Sequence, residues 1–365
     1  GGKADVVIAN RNGINVNGGG FINVGKATLT TGNLELENGD LKSINVTSGK
    51  VKIGEKGIDV REQEDFNIVA KEAEIGGEIR GNEETNLVMS TGSQDFGYNS
   101  KTSISKNEKS QGVAIDGGML GSMYAGKIQI ISNDTDANVD LRGNLVSFSD
   151  IELKSKGDLN TSGKVLAKNV KYKAAKKGRI QDEVDGNKIN IETSEVENKG
   201  TIYGADNLDI KGDVVNTGIL ASNKIDINGD KIDNTSGIIQ SPELSLNSKD
   251  SLINDKGIIL GNLGKIGGNK LSNVEGQIIT GKALDIKVKD IDNTRGGIIT
   301  PDKLAITGER LNNTESSLVT KEIEINMSDF VVNTKGLIEA EDKLIVVANN
   351  KIDNYQYDIF GQKIN

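Results

Sequence analysis

The run NDTDANVD, residues 133–140, places the carboxylates of Asp134, Asp136 and Asp140 within one short stretch. Three acids at that spacing invite a calcium reading. An EF-hand loop needs a Gly at its sharp turn and a distal bidentate Glu, and the run has neither, so it reads as an acidic turn. A second set of acids, Asp209, Asp226, Asp285 and Glu324, recurs among Lys and Asn. A β-helical polysaccharide lyase or hydrolase places paired carboxylates across a groove. No aromatic sugar platform accompanies these four, and they read as solubilising charge. Basic residues concentrate in KVLAKNVKYKAAKKGR, residues 164–179. Such a patch suits an acidic glycan or a phospholipid headgroup, but the alternation at Val165, Val170 and Tyr172 favours the solvated outer face of a strand. The chain has no His and no Cys, so the commonest general base and the thiol nucleophile are both missing. Catalysis, a metal site and a cofactor are not expected.

What positions these side chains is a repeat. Asn198, Asn216, Asn234, Asn254, Asn273, Asn293, Asn313, Asn333 and Asn354 recur roughly every 20 residues, the kind of period that marks repeat architectures. Each follows a hydrophobic alternation and usually precedes a Gly two or three residues on. An aliphatic pair follows, such as Ile238 and Ile239 or Ile278 and Ile279, and then an alternating triplet such as Leu284 and Ile286. Period-2 alternation is strand grammar, and it implies three short strands per repeat. A unit this short buries its apolar face only by stacking on its neighbours. The expected fold is all-β, a single-stranded right-handed parallel β-helix. The recurrent Asn is expected to occupy a left-handed corner and to stack into a hydrogen-bonded ladder. A leucine-rich repeat places its Asn closer to the L-x-L pair, and no GGxGxDxUx calcium array is present.

With 45 Gly, 2 Pro and 3% aromatic residues, packing falls to the aliphatics. The net charge of −9 argues against nucleic acid or an anionic membrane as the main partner. No apolar run reaches the roughly 18 residues of a membrane span. Residues 34–79 continue in short strands with Gly breaks and read as further coils. Residues 93–111 are polar and should project as an extra-helical mobile loop or hairpin, with Phe96 and Tyr98 as possible contact anchors.

The run VVIANRNGINVNGGGFINVGKATLTTG, residues 6–32, resembles the secretion domain of the filamentous haemagglutinin and haemolysin family, the exoproteins of two-partner secretion. Asn10, Asn12, Gly13 and Ile14 match that family's turn, with Arg11 where the family usually has Pro. A second match is GVAIDGGMLGSMYAGKI, residues 112–128, and the later repeats resemble haemagglutinin repeats. The family's upstream NPNL motif is absent, so the sequence reads as starting inside the domain, without its N-terminal cap. The resemblance implies three segments: the C-terminal part of a secretion domain over 1–150, transitional coils over 151–194, and haemagglutinin-type repeats of about 20 residues over 195–365. It implies a non-enzymatic, secreted or surface-exposed segment of a Gram-negative bacterium that directs secretion and forms the rod of an adhesin. The implied partners are an outer-membrane transporter and a receptor or glycan on a host or neighbouring cell. The stalk of a contact-dependent growth-inhibition toxin is the alternative.

Overall fold

The computed structural model describes residues 2–355 and 359–360. Two compact units, Gly1–Ser194 and Glu195–Asn365, divide the chain. Among the described residues every regular element is a strand, and no helix is long and apolar enough to cross a membrane.

The first unit is a parallel β-solenoid. Asp65–Ala70, Asn86–Thr91, Lys127–Ser132, Asp150–Ser155 and Asn169–Ala174 stack as successive parallel rungs. Because each strand pairs on both sides, the interior contains backbone groups already satisfied by neighbouring coils. Alternation then sorts the side chains. Ile68, Met89, Ile130, Leu153 and Tyr172 fall in register and are buried. The Tyr172 hydroxyl donates to the Leu159 carbonyl at 2.5 Å, so this large side chain is buried without orphaning its polar atom.

Residues 34–46 depart from the coil reading. Asn33–Glu37 and Asp40–Val46 form an antiparallel hairpin that joins Gln94–Gly97 and Thr102–Ser105 in a separate four-stranded sheet. Asn38 and Gly39 both have positive φ, 52° and 90°, as a tight primed hairpin turn requires. The sheet lies against the solenoid. Phe96 is fully buried and Tyr98 is 8% exposed, packed with Ile44 and Val46 of the sheet and Val69 and Val88 of the coils. Phe96 and Tyr98 are therefore corrected from contact anchors to core. An antiparallel sheet with one apolar face must bury it, and the aromatic rings fill the gap against the outward valines. The 93–111 segment is the hairpin of the two expected forms.

The second unit is also a parallel solenoid, with longer strands than the three per repeat expected. Ile238–Ile253, Gln277–Asp292 and Ser317–Val332 each run sixteen residues. Corners are absorbed as register shifts, such as those between Ser248 and Ser251 or Gly261 and Leu263, without leaving the hydrogen-bonded ladder. Inside, Ile210, Ile227, Leu246, Ile266, Ile286 and Ile306 form one column. A second column, Leu208, Ile225 and Leu244, meets Gly264 where a side chain is missing before it resumes at Leu284. A Cβ on Gly264 would lie 2.8 Å from Leu284 Cδ1, so the neighbouring leucine leans into the gap.

Candidate functional site

From Asn198 to Asn333 the Asn at each turn of the second unit is buried, and its Nδ2 donates to the Oδ1 of the next. Asn198 donates to Asn216 at 2.8 Å, Asn216 to Asn234 at 2.7 Å, Asn234 to Asn254 at 2.8 Å and Asn254 to Asn273 at 2.8 Å. Asn273, Asn293, Asn313 and Asn333 continue the series to Asn354 at 2.7 to 2.9 Å. The second Nδ2 hydrogen reaches backbone carbonyls, such as Ile238 O from Asn216 at 3.1 Å and Gln277 O from Asn254 at 3.1 Å. Each rung therefore spends both amide hydrogens in an interior where an unpaired donor is expensive.

These Asn residues are not the left-handed ones. Positive φ, between 52° and 59°, falls two residues later at Ser236, Lys256, Glu275, Arg295, Glu315 and Lys335. The side-chain amide, and not tolerance of a strained backbone, is what the position uses. Gly follows immediately because space runs out. A Cβ at Gly237, Gly257, Gly276, Gly296 or Gly336 would lie 2.0 to 2.3 Å from the carbonyl oxygen of the preceding coil's Asn. Ser316 replaces that Gly in one coil. Its Oγ accepts from Asn293 Nδ2 at 2.6 Å and donates to the Gly296 carbonyl.

In the first unit, Asn10 closes its turn twice: its Oδ1 accepts from the Asn12 amide at 3.1 Å, and its carbonyl from the Gly13 amide at 3.0 Å. Gly13 has φ 122°, and a Cβ there would lie 2.9 Å from the Lys50 carbonyl of the next coil. Ile14 pairs with Val51 on that coil. Arg11 sits exposed at the tip. In the second motif Met123, Ala125 and Ile128 are buried, whereas Met119 and Leu120 stand out from the corner at 80% and 67% exposure.

The charged candidates resolve into pairs. Asp136 meets Lys109 and Lys176, which hold its carboxyl below the usual range. Asp140 accepts from Asn160 at 2.5 Å. Asp134 is 1% exposed and accepts from Lys71 Nζ and from the Ser93 amide, both at 2.8 Å. Burial acts to lower the Lys71 pKa, but its bonds to Asp134 and Glu108 prevail and raise it. In the basic stretch, Lys164 pairs with Glu183, Lys173 with Glu192 and Arg179 with Asp158. Asp209, Asp226, Asp285 and Glu324 share one outward column of the second unit. Asp226 and Asp285 border an open depression of about 730 Å³ with Lys224, Lys265 and Leu263. Asp226 accepts from Asn228 and Asp285 pairs with Lys287, each along its own strand. Sequence reasoning missed the Lys71–Asp134 pair, whose partners lie in different coils and carry no local signal.

Residues 1–165 match the family described as the TPS secretion domain, and residues 226–354 match the haemagglutinin repeat. The chain belongs to the exoproteins of two-partner secretion. Its place is outside a Gram-negative cell, secreted or at the surface. Among its relatives is the toxin CdiA of Yersinia pestis, 33% identical over 208 residues, which are 56% of this chain and 6% of that protein. The tRNA nuclease CdiA of Yersinia mollaretii is 37% identical over 172 residues, 45% of this chain and 6% of that one. The adenylyltransferase and cysteine protease IbpA of Histophilus somni is 30% identical over 314 residues, 79% of this chain and 7% of that one. The chain thus spans about 6–7% of the length of these relatives, and their enzymatic names belong to the whole proteins. A solved structure, the filamentous haemagglutinin secretion domain, is 23% identical with a TM-score of 0.44, covering 62% of this chain and 67% of its own.

Proposed function

We propose that this exoprotein segment is handed to an outer-membrane two-partner-secretion transporter through its first unit and forms part of the rod of an adhesin. The match of residues 1–165 to the secretion domain carries this reading. The fold supplies a mechanism. A solenoid coil depends on its neighbours alone, so each coil that emerges finds a finished template and folding discourages back-sliding. The segment is structural, not catalytic, and what it contacts beyond the transporter is a surface receptor or glycan. We read 1–150 as secretion domain, 151–194 as transitional coils and 195–365 as repeats. In this reading the Asn10–Ile14 turn helps form the surface the transporter reads, and the recurrent Asn series serves the rod.

Co-expression with a cognate transporter in a Gram-negative host tests the reading. The chain should reach the medium or cell surface only when the transporter is present. Asn10→Pro, which removes an amide donor to Thr30 and the capping side chain, should leave it in the periplasm. Export independent of the transporter would overturn the proposal. The CdiA relatives favour a second reading, the stalk of a contact-dependent inhibition toxin, which a growth-inhibition assay with the whole gene's product distinguishes.

A further inference from the structure

The coil Ile258–Ser272 supplies less of the core than the coils on either side. In the next coil Ile278, Thr280, Leu284, Ile286, Val288 and Ile291 are buried. Opposite them stand Ile259, Gly261, Gly264, Ile266, Gly268 and Leu271, so glycine takes the place of Thr280, Leu284 and Val288. In the preceding coil the same places hold Ser241, Leu244 and Ser248.

These glycines have different causes. Gly268 is dictated by space: its φ is 151°, and a Cβ there would lie 2.1 Å from the Ser248 carbonyl oxygen. The same approach recurs at Gly308, 2.0 Å from the Val288 carbonyl oxygen. Gly261 and Gly264 are not left-handed. A Cβ at Gly261 would meet nothing closer than 3.3 Å. At Gly264 it would meet only side-chain atoms, Leu284 Cδ1 at 2.8 Å and Thr280 Cγ2 at 3.3 Å, which can turn aside. The core column is thus interrupted where the backbone would accept a side chain. The open depression of about 730 Å³ lies over this spot, with Leu244, Gly264 and Leu284 in its lining.

A solenoid coil is held by its two interfaces, and an absent inward side chain thins both. Glycine within a strand also adds backbone entropy to the opened state. We propose that Ile258–Ser272 is a built-in opening point of the second unit, a coil that unzips locally and reversibly while the coils before and after it stay folded. Both of its ends are pinned. Asn254, at the turn before it, accepts from Asn234, and Asn273, at the turn after it, donates to Asn293. The opened segment is therefore a bubble between two fixed points, and it recloses without slipping register, which a shift of one residue would invert. A load that bends or stretches the solenoid is taken up by this one coil, and the aliphatic coils around it are spared. The device goes beyond the secretion reading and does not depend on it.

Native-state hydrogen exchange of the purified chain, expressed as protection relative to intrinsic rates, tests this. Ile266 shares one buried column with Ile227 and Ile306, which lie two coils away on either side. The Ile266 amide should be at least about tenfold less protected than theirs; equal or higher protection overturns the proposal. Gly264→Ala, which lets Leu284 withdraw and removes backbone freedom from the opened coil, should raise Ile266 protection about threefold. No gain would mean that the glycine is not what weakens the coil, and the proposal fails. Limited trypsin digestion gives a second readout, since cleavage follows the population of the open form. Lys265 and Lys287 both precede an aliphatic residue within a strand. Cutting after Lys265 should outpace cutting after Lys287, and Gly264→Ala should narrow the difference; faster cutting after Lys287 overturns the assignment of the opening to this coil.

Discussion

Lys71 and Asp134, whose charged atoms lie 2.8 Å apart, fasten the appended sheet to the coils of the first unit. Asp134 also accepts from the Ser93 amide at the root of the hairpin, and Glu108 beyond it accepts from Lys71 at 3.0 Å and from the Ser93 hydroxyl. Removing Lys71 leaves a carboxylate buried without its counter-charge. Lys71→Met should destabilise the first unit by about 2–4 kcal/mol, and adding Asp134→Asn should restore part of the loss. Denaturant melts of the two single variants and the double variant measure the coupling; strict additivity would show that the pair does not act as a unit.

Acid should loosen the same junction. Glu108 is held below its ordinary 4.5, first by the Ser93 hydroxyl and then by Lys71, and Asp136 is held below 3.8 by Lys176 and Lys109. A carboxylate with a lowered folded pKa stabilises the fold above its unfolded value, and that contribution fades as pH falls through the folded value. Stability should therefore decline below about pH 4.5 and continue to decline below 3.8. Lys71, raised above 10.5, contributes fully below that value and loses its contribution above it. Amide exchange over residues 94–105 between pH 7 and 3, expressed as protection relative to the intrinsic rate at each pH, is the check, with lower protection on acidification expected.

The Asn ladder should fail locally. Asn273→Ala removes the acceptor of Asn254 and the donor to Asn293 and to the Gly297 carbonyl, and should cost about 2–4 kcal/mol from three disrupted buried bonds. Asn198→Ala should cost less, since Asn198 Oδ1 has no hydrogen-bond partner among the described residues. Hydrogen exchange after Asn273→Ala should rise in the coils on either side and change little several coils away, as nearest-neighbour energetics require.

Gly276 has the tightest approach in the turn series, with a Cβ position 2.0 Å from the Asn254 carbonyl. Gly276→Ala should destabilise by about 1–3 kcal/mol through overpacking. Gly276→Ser should be milder, because Ser316 shows how an Oγ can take up a ladder hydrogen bond at the equivalent place. Thermal melts of the two variants decide; equal losses would mean that the hydroxyl gives no relief.

The coils were legible because Asn, Gly and aliphatic alternation recur with fixed spacing, and only stacking buries so short a period. The appended sheet was not. LELENGDLKSINV alternates as a coil strand would, and period 2 does not distinguish parallel from antiparallel partners. The signal lay in Asn38–Gly39, the favoured dipeptide of a two-residue hairpin. Phe96 and Tyr98 stand two apart in a polar stretch, which is also how a half-buried strand is written. Asn was assigned the left-handed backbone because its type permits it, whereas the structure gives that conformation to residues as unlike as Glu275 and Arg295. Which member of an Ile–Ile pair faces water depends on the phase of the strand, and identical residues do not reveal it.

Every rung of the Asn ladder presents an acceptor on one side and a donor on the other, and both are the same chemical group. A whole coil inserted or deleted between Asn234 and Asn313 would meet the same partners as the coil it displaced. Gene duplication or loss in units of one repeat can therefore change the number of coils without breaking the Asn series. An insertion of part of a repeat would bring the wrong residue opposite an Asn and sever the series there.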